Sequence, residues 1–318
     1  QPLSLNREIE DIMVERKREI LHFFERIQRE TGNDFGLAWY KKTSGIHINV
    51  DYRSEADFSR KSKTLLRLAP VLNAIFANSP FSKKKFTGYM SYRRWLTLHT
   101  GIPTFNTPQK LYESDFTYED WGNHILSLNV AFLKKEQGWI HPNMPFSTYI
   151  KKGFEGHHAT LNDFNMHFKG AWTDIRMRNV IEIRCIDSLP PALVPATAAL
   201  IKGLIYDDMT LLELKQLTDN WTFKDYQTLL EDAARNALQA SIRGIPLLTI
   251  AKLLLQLAKK SLSKHPIINA DGEDESIYLE PIQEFILLKE KSPAEWLVEQ
   301  WLGPWNKNFY PVIEWCRY

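Results

Sequence analysis

Charged side chains interrupt an apolar run in the segment NVIEIRCIDSLPP, residues 179–191. Side chains alternate between the two faces of an extended strand, so Glu182 and Arg184 share one face. By the same rule, Ile181 and Ile183 lie on the opposite face. The segment is therefore predicted to form a strand with one apolar face and one ionic face.

A second segment, SGIHINVDY at residues 44–52, alternates in the same way and has His47 and Asn49 on its polar face. We expect the two strands to pair in one antiparallel sheet, with their polar side chains on the same side. The polar floor of a cleft would then consist of His47, Asn49, Glu182 and Arg184.

A floor of this composition suits phosphate chemistry. A carboxylate and an imidazole can hold a divalent cation, and a guanidinium group can bind a phosphate through two hydrogen bonds. On spacing alone, a second interpretation stays open, in which Glu182 and Arg184 form a solvated ion pair and His47 is a surface histidine. The residue types by themselves do not decide between the two.

Periodicity and capping residues predict the elements around these strands. Helical periodicity covers residues 6–31, and Ser54 with Asp57 marks the start of a helix that runs to the Asn78-Ser79-Pro80 segment. Residues 81–145 are rich in Gly, Pro, Asn and Thr, which predicts loops with short strands and a helix or two. The other predicted helices are one that begins at Leu161 and those at 192–206, 208–217, 223–242, 245–263, 278–288 and 293–301.

Strands early in the chain and helices late in it indicate an α+β fold. We expect a mainly antiparallel sheet that forms an active-site cleft, with helices packed on it and a helical C-terminal portion. The chain has 318 residues, of which 44% are apolar and 25% charged, as in folded globular proteins. A single domain spanning residues 1–318 is the expectation.

Charge and cysteine content narrow the range of partners. Forty basic and 38 acidic residues are interspersed and leave a net charge of +2, which gives no indication of a nucleic-acid partner. The two cysteines, Cys185 and Cys316, are too few for a disulfide framework, so a reducing, cytoplasmic location is expected. The most apolar region, residues 245–257, is shorter than the roughly 20 residues of a membrane span, so no membrane partner is expected. Nothing in the sequence indicates the oligomeric state.

Longer segments that follow one another along the chain form a recognisable series. The ionic strand is followed by TAALIKGLIYDD, and the other segments are FANSPFSKKKFTGYMSYRRW, TLNDFNMHFKGAWTDIRMRN, WTFKDYQTLLEDAARNAL and SPAEWLVEQWLGPW. Together they resemble the GCS2-type carboxylate-amine ligases, and within them the plant-type glutamate-cysteine ligases of plants and bacteria. The strand matches the L-E-x-R-x-x-D hallmark of that family. Several matches in the right order are more specific than a single motif.

The resemblance implies a glutamine-synthetase-like, carboxylate-amine ligase fold and an ATP-dependent condensation. ATP would phosphorylate the side-chain carboxylate of glutamate, and the amine of cysteine would attack the γ-glutamyl phosphate, as in the first step of glutathione biosynthesis. The implied cofactors are ATP and Mg²⁺, and the implied partners are these small-molecule substrates. Bringing a carboxylate against a polyanionic nucleotide requires nearby cations, in agreement with the charged strand.

The resemblance also implies roles for individual residues. Glu182 and His47 correspond to metal ligands, and Arg184 corresponds to a catalytic contact to the transferring phosphate. Asn49 and Arg176 would help to bind ATP or phosphate. Arg93, in the segment GYMSYRRW, would bind the carboxylate of glutamate.

The chain departs from the family pattern at its start. The family has further strands ahead of the point where this sequence begins, including a G-x-E-x-E pair of acidic metal ligands, and Gln1 with Pro2 resembles an internal Q-P of the family. We therefore expect an N-terminally incomplete domain with little ligase activity by itself. A fragment, a site completed by another chain and an inactive, degenerate homologue that acts as a binding protein are all open, and the absence of an initial methionine favours a fragment.

A second departure concerns the amine acceptor. The segment LTLHTGIPTF lacks the aspartate and arginine that the family has after S-x-R-x-x-W. The nearby His99 is expected to be an exposed loop histidine, with substitution for the missing residues as the alternative. A sibling γ-glutamyl or amide ligase with another amine acceptor is therefore the alternative to cysteine ligation. The lysine run at residues 83–85 is interpreted as an exposed loop, with phosphate steering as the second possibility.

Overall fold

The computed structural model describes residues 15–113, 115–264 and 267–317. Helices account for most of the described chain, and the strands are short. The α-helices are α1 (Glu15–Thr31), α2 (Phe35–Lys42), α3 (Glu55–Ile75), α4 (Tyr92–His99), α5 (Gln109–Glu113), α6 (Tyr118–Ser127), α7 (Phe146–Lys152), α8 (Leu161–Phe168), α9 (Val194–Ile205), α10 (Asp208–Thr218), α11 (Phe223–Asn236), α12 (Leu247–Lys264), α13 (Glu280–Gln283), α14 (Pro293–Leu302) and α15 (Tyr310–Trp315). The strands are β1 (Gly45–Val50), β2 (Phe81–Ser82), β3 (Lys85–Phe86), β4 (Leu133–Lys135), β5 (Gly138–Ile140), β6 (Ile175–Met177), β7 (Ile181–Asp187), β8 (Ser241–Ile242) and β9 (Ile245–Pro246).

A three-stranded antiparallel sheet carries the two predicted strands. Its order is β1-β7-β6, so the ionic strand β7 lies in the middle. Asn49 of β1 lies opposite Glu182 on one side, and Arg176 of β6 lies opposite Glu182 on the other. The predicted antiparallel pairing is confirmed, and the remaining strands form separate two-stranded hairpins.

Strand β7 is irregular where it passes His47. The register between β1 and β7 shifts at this point, so that Arg184 and Cys185 together lie opposite His47. An extra residue in one strand is a β-bulge, which bends the strand and redirects the side chain at that position. The backbone N–H of Arg184 donates to the carbonyl oxygen of Asp174 at 2.8 Å. The bulge was not predicted from the sequence.

Helix α3 forms a rigid backing for the apolar face of β7. Its predicted start is confirmed, because the Ser54 side chain accepts a hydrogen bond from the Asp57 N–H at 3.2 Å. Its apolar residues belong to the same core cluster as the isoleucines of β7. The larger ones with 0% exposure are Leu65, Leu66, Leu68, Val71, Leu72 and Ile75. Full burial of such side chains stabilises the fold by about 1.5–3 kcal/mol each.

Helices α9 and α12 confirm the predicted helices at 192–206 and 245–263 and pack directly on each other. Gly203 allows this close approach. A Cβ atom at that position would lie 2.6 Å from the carbonyl oxygen of Ala258. The two helices extend the core cluster away from the sheet.

Several sequence predictions need correction. The helix predicted at 223–242 ends at Asn236, because Ala237 has a φ of 46° and leaves the helical conformation. Arg243 and Gly244, with φ values of 50° and 80°, then form the turn of the β8–β9 hairpin. Such two-residue hairpin loops require positive φ at both positions. The main sheet has three strands, so it is smaller than the mainly antiparallel sheet that was predicted to form the fold. The part of the predicted helix before residue 15 lies outside the described residues.

Helix α12 includes most of the apolar region that the sequence analysis examined as a membrane segment. Within the described ranges, the structure contains no helix with the length and apolar character that a membrane crossing requires.

Candidate active site

The carboxylate of Glu182 is the centre of the ionic face. Its Oε2 atom accepts hydrogen bonds from Nε and Nη2 of Arg176 at 3.0 and 2.6 Å. Its Oε1 atom accepts one from Nη1 of Arg184 at 2.7 Å and lies 3.2 Å from Nδ1 of His47. A further guanidinium group, that of Arg178, is 3.8 Å from Oε2. The structure thus brings together Glu182, Arg184, His47 and Arg176, all predicted from the sequence.

Positive charge exceeds negative charge at this face. One carboxylate faces the guanidinium groups of Arg176, Arg178 and Arg184, which leaves two positive charges in excess. Burial raises the pKa of Glu182, but the hydrogen bond from His47 and the charges of Arg176 and Arg184 outweigh burial and hold the pKa well below the ordinary glutamate value. The carboxylate is ionised at neutral pH, and the face still attracts a further anion.

Arg176 and Arg184 differ in how many of their donors are occupied. Arg176 is buried, and its Nη1 also donates to the carbonyl oxygens of Lys169 and Ala171, both at 2.9 Å. Arg184 has no acceptor for Nε or Nη2 among the residues that the structure describes. Burial and the charge of Arg176 lower the pKa of Arg184 to about 10, so it is cationic at neutral pH. Arg184 retains free donors for an anion, whereas Arg176 chiefly orients Glu182.

His47 is held by the same carboxylate. Its Nδ1 lies 3.2 Å from Oε1 of Glu182 and 3.4 Å from Nη1 of Arg184. A carboxylate only accepts and a guanidinium only donates, so we assign the proton to Nδ1, pointing at Glu182. The bond to Glu182 raises the pKa of His47, but burial and the charge of Arg184 lower it further, and the net shift is downward. His47 is therefore neutral at pH 7, with a lone pair on Nε2.

The two residues predicted as metal ligands meet part of the requirement for a divalent cation. Glu182 offers carboxylate oxygens and His47 offers its unprotonated Nε2, because the 3.2 Å contact between Nδ1 and Oε1 is the hydrogen bond between the two residues. Within the described residues, no third His, Cys, Asp or Glu joins them. Mg²⁺ takes six ligands, which are mainly oxygen atoms and include several water molecules. The carboxylate suits such an ion and the imidazole suits it less well, so the pair would supply two ligands at most, and the remaining ligands would come from substrate, water or residues outside this group.

Side chains from α3 and α4 support the bulge that carries Arg184. A bulge leaves backbone carbonyl groups without partners in the ladder, and buried carbonyl groups need donors. Nη2 of Arg93 donates to the carbonyl oxygen of Arg184 at 3.0 Å, and Nδ2 of Asn73 donates to that of Cys185 at 3.0 Å. Gly45 makes room for the guanidinium group, since a Cβ there would lie 2.5 Å from the Cζ of Arg93.

Arg93 is therefore buried behind the strand, while the sequence analysis assigned it to the substrate carboxylate. Its Nη1 also donates to the carbonyl oxygen of Ile186 at 3.3 Å and lies 3.7 Å from Oδ1 of Asp187. Burial lowers the pKa of Arg93, and Asp187 offsets only part of that effect. Asn49 is exposed on the ionic face, opposite Glu182. Substrate binding by Arg93 and nucleotide binding by Asn49 stay predictions.

A second carboxylate of β7, Asp187, was not assigned a role from the sequence. Its Oδ2 accepts hydrogen bonds from the hydroxyl of Ser79 at 2.7 Å and from the backbone N–H of Asn78 at 3.0 Å. Its Oδ1 accepts one from the hydroxyl of Ser91 at 3.0 Å. These contacts tie the segments on both sides of the β2–β3 hairpin to the sheet. The signal available in the sequence was the aspartate of the L-E-x-R-x-x-D pattern itself.

A third ionic contact, also missed, joins α4 to the segment before β6. Arg94 donates to both carboxylate oxygens of Asp174, through Nη1 at 2.5 Å and Nη2 at 2.6 Å. Tyr226 of α11 donates to the same carboxylate at 3.3 Å. The pair is buried and electrically neutral, so it fixes the position of α4 behind the sheet.

Comparison with known proteins relates the chain to one family. The family described as Glutamate-cysteine ligase family 2 (GCS2) matches residues 35–308, which include the whole sheet. The chain belongs to GCS2. It is 27% identical over 283 residues to the chloroplastic glutamate–cysteine ligase of Nicotiana tabacum, and 28% and 27% identical to those of Arabidopsis thaliana and Brassica juncea. The family resemblance found in the sequence is confirmed.

The alignments with these GCS2 ligases cover most of this chain but a much smaller share of each relative. They include 88% of this chain but 53–54% of the length of each of the three relatives. The chain spans about half the length of the curated relatives that it matches. The ionic face of β1, β7 and β6 lies within the residues that match GCS2.

Proposed function

We propose that this chain contributes the arginine-rich face of an ATP-dependent carboxylate–amine ligase of the glutamate–cysteine ligase type. The observation that carries the proposal is the excess of guanidinium groups around one ionised carboxylate, on the strand that the family hallmark predicts. Membership of GCS2 gives the reaction class. The proposal includes a glutamine-synthetase-like cleft above this face.

The proposed reaction places several anionic groups together. ATP would transfer its γ-phosphoryl group to the side-chain carboxylate of glutamate, and an amine would then displace the phosphate. Catalysis of phosphoryl transfer depends on positioning and on cations that offset the developing charge. Arg184, with its free Nε and Nη2 donors, would contact the transferring phosphate. Arg178 would add charge from its half-exposed position, and Glu182 with Arg176 would keep Arg184 in place.

The other predicted roles belong to the same proposal. Asn49, exposed beside Glu182, would contact the nucleotide. Glu182 and His47 would hold a Mg²⁺ ion, which neutralises charge on the phosphoryl oxygens when it is bound. Arg93 would bind the glutamate carboxylate only if its guanidinium group gave up a backbone contact, so we regard it as the weakest assignment.

Binding of ATP by the purified chain tests the proposal. Isothermal titration calorimetry with ATP and Mg²⁺ compares the parent chain with Arg184→Gln and with a control, Arg243→Gln, which removes a half-exposed arginine of the β8–β9 hairpin. We expect the parent and the control to bind alike and Arg184→Gln to bind at least about tenfold more weakly. Equal binding by parent and Arg184→Gln, or no binding by the parent, would contradict the proposal.

The amine acceptor needs a separate test. Cysteine is the first expectation, since the three relatives compared above are named glutamate–cysteine ligases. Incubating the chain with glutamate, ATP, Mg²⁺ and a panel of amines, with mass-spectrometric detection of γ-glutamyl products, distinguishes cysteine from other acceptors. A product with another amine in preference to cysteine would favour the sibling-ligase alternative. ATP binding without any product would agree with the expectation that this chain by itself has little ligase activity.

A further inference from the structure

A cavity of about 520 Å³ lies between the β2–β3 hairpin and helices α14 and α15, and none of the proposed catalytic residues lines it. Its apolar wall includes Phe81, Leu297 and Phe309. The rings of Phe81 and Phe309 meet edge to face with centroids 5.3 Å apart. Cavities of this size with mainly apolar walls are typical of small-molecule sites.

Positive charge lies along the rim of this cavity. Lys42, Lys83 and Lys84 line it, and no Asp or Glu is among its lining residues. None of the three amines forms an ion pair within the part of the chain that the structure describes. The cavity thus combines an apolar wall with unbalanced cations.

A second cavity, of about 540 Å³ between α3 and α10, does not have such an excess of positive charge. Its basic residues are matched by acidic ones at equal number, and each of the four basic residues forms an ion pair with one of the acidic ones. The basic residues are Arg60, Lys63, Arg67 and Lys215, and the acidic residues are Glu55, Asp115, Asp208 and Asp219. Cations there are neutralised by the protein, whereas those of the cavity beside the β2–β3 hairpin are left to attract an anion.

The turn of the β2–β3 hairpin is unfavourable for its sequence. Lys83 and Lys84 have φ values of 49° and 58°, and they form the two-residue loop between Ser82 and Lys85. Such loops favour Asn-Gly, because positive φ is unfavourable for residues with long side chains. Neither lysine amine makes a hydrogen bond to another described residue that offsets this cost. Backbone strain of this kind is concentrated at functional sites.

We propose that the cavity between the β2–β3 hairpin and α14 and α15 binds a small organic anion with an aromatic body. The lysine amines would contact the anionic group, and the phenylalanine rings would contact the aromatic body. The cavity is distinct from the ionic face, because Asn78 and Ser79, which line it, are bound to Asp187 at the other end of β7. The proposal does not depend on ligase activity.

Calorimetric titration with 1-naphthyl phosphate tests the combination of charge and apolar body. Inorganic phosphate offers the charge alone, and 1-naphthol offers the rings alone. We expect 1-naphthyl phosphate to bind at least about tenfold more tightly than either. Equal affinity for 1-naphthyl phosphate and 1-naphthol, or no binding of 1-naphthyl phosphate, overturns the proposal.

A double variant, Lys83→Asn with Lys84→Gly, separates binding from folding. It removes two rim charges and gives the hairpin the residues that its turn favours, so the melting temperature should be unchanged or higher. The affinity for 1-naphthyl phosphate should fall at least about tenfold. Its control, Lys151→Gln with Lys152→Gln, removes two exposed lysines from the last turn of α7 and should bind like the parent. Unchanged affinity in the Lys83/Lys84 double variant overturns the proposal.

Alkylation of Cys316 locates the ligand. Cys316 lines the cavity, whereas the other cysteine, Cys185, is 1% exposed and should not react in the folded chain. Saturating 1-naphthyl phosphate should slow modification of Cys316 by N-ethylmaleimide at least about fivefold, since the ligand covers the thiol. Unchanged alkylation, or loss of 1-naphthyl phosphate binding in Arg184→Gln, would assign the ligand to another site and overturn the proposal.

Discussion

Strand β7 carries two buried carboxylates whose surroundings differ. Glu182 faces three guanidinium groups and an imidazole, and two of these partners, His47 and Arg178, are about 40% exposed. Asp187 is 1% exposed and accepts its hydrogen bonds from two hydroxyl groups and one backbone N–H. Glu182 leaves positive charge unbalanced at an open face, while Asp187 and Arg93 offset each other in a closed one.

The comparison separates binding from support on a single strand. An ionic group that the protein neutralises and encloses stabilises the fold but has nothing left for a ligand. A carboxylate surrounded by excess cations positions them without neutralising all of their charge, so they can still bind an anion. The remaining repulsion between the cations lowers the stability of the fold. The bulge at Arg184 lies between the two carboxylates and connects them, because Arg93 contacts both its carbonyl oxygen and Asp187.

The largest loss of stability is expected when the closed region is broken. Asp187→Asn removes the charge opposite the buried Arg93 and weakens the acceptor for Ser79 and Ser91, which should lower the free energy of unfolding by about 4 kcal/mol. Urea denaturation measures the change. Asp208→Asn, which removes a 72% exposed partner of Arg60, is the control and should cost less than about 1 kcal/mol. Equal losses of stability in Asp187→Asn and Asp208→Asn would contradict the structural role assigned to the closed region around Asp187.

Glu182→Gln should cost less, about 2 kcal/mol at pH 7, because glutamine still accepts from Arg176 and water reaches the exposed partners. The effect depends on pH. The folded-state pKa of Glu182 is lowered, since His47 and the arginines outweigh burial. The advantage of the parent over the variant should be complete above the ordinary glutamate pKa of about 4.3 and decline as the pH falls through the folded-state value. Denaturation midpoints at pH 7, 5 and 3 measure it, and an advantage that grows below pH 4 would contradict the assignment.

Asn73→Ala tests the bulge between the two regions. It leaves the buried carbonyl oxygen of Cys185 without its donor, which should lower the free energy of unfolding by about 1.5 kcal/mol. Arg184 should lose its defined position, and ATP binding should weaken several-fold. Asn236→Ala removes a surface amide that bonds Asp232 and serves as the control. A stability loss in Asn73→Ala with unchanged ATP affinity would show that the bulge does not position Arg184.

The smallest stability change is expected at the open face itself. Burial and the charge of Arg176 oppose the charge of Arg184, so Arg184→Gln should change the free energy of unfolding by less than about 1 kcal/mol. The same variant should show the weaker ATP binding described above. Paired calorimetric and denaturation measurements check both. A large stability loss with full ATP affinity would make Arg184 a structural residue like Asp187.

The local sequence pattern was sufficient to predict much of the candidate site. Alternation predicted β1 and β7, and it predicted that Glu182 and Arg184 share a face because strand side chains have period two. The cap at Ser54 was also visible in the sequence, since Ser54 and Asp57 are three residues apart. The turn at Arg243 and Gly244 was missed, although Gly244 was a local signal for a break in the predicted helix.

The sequence by itself determined which residues are ionic, which strand carries them and which face they share, because these properties depend on neighbours along the chain. The tertiary structure alone decided that Glu182 is surrounded by excess cations and that Asp187 is enclosed. The donors to Asp187 lie 96 to 109 residues away from it, and Arg93 lies 91 residues from the carbonyl group that it supports. Partners at such separations are set by the packing of α3 and α4 against the sheet, and no local pattern encodes that packing.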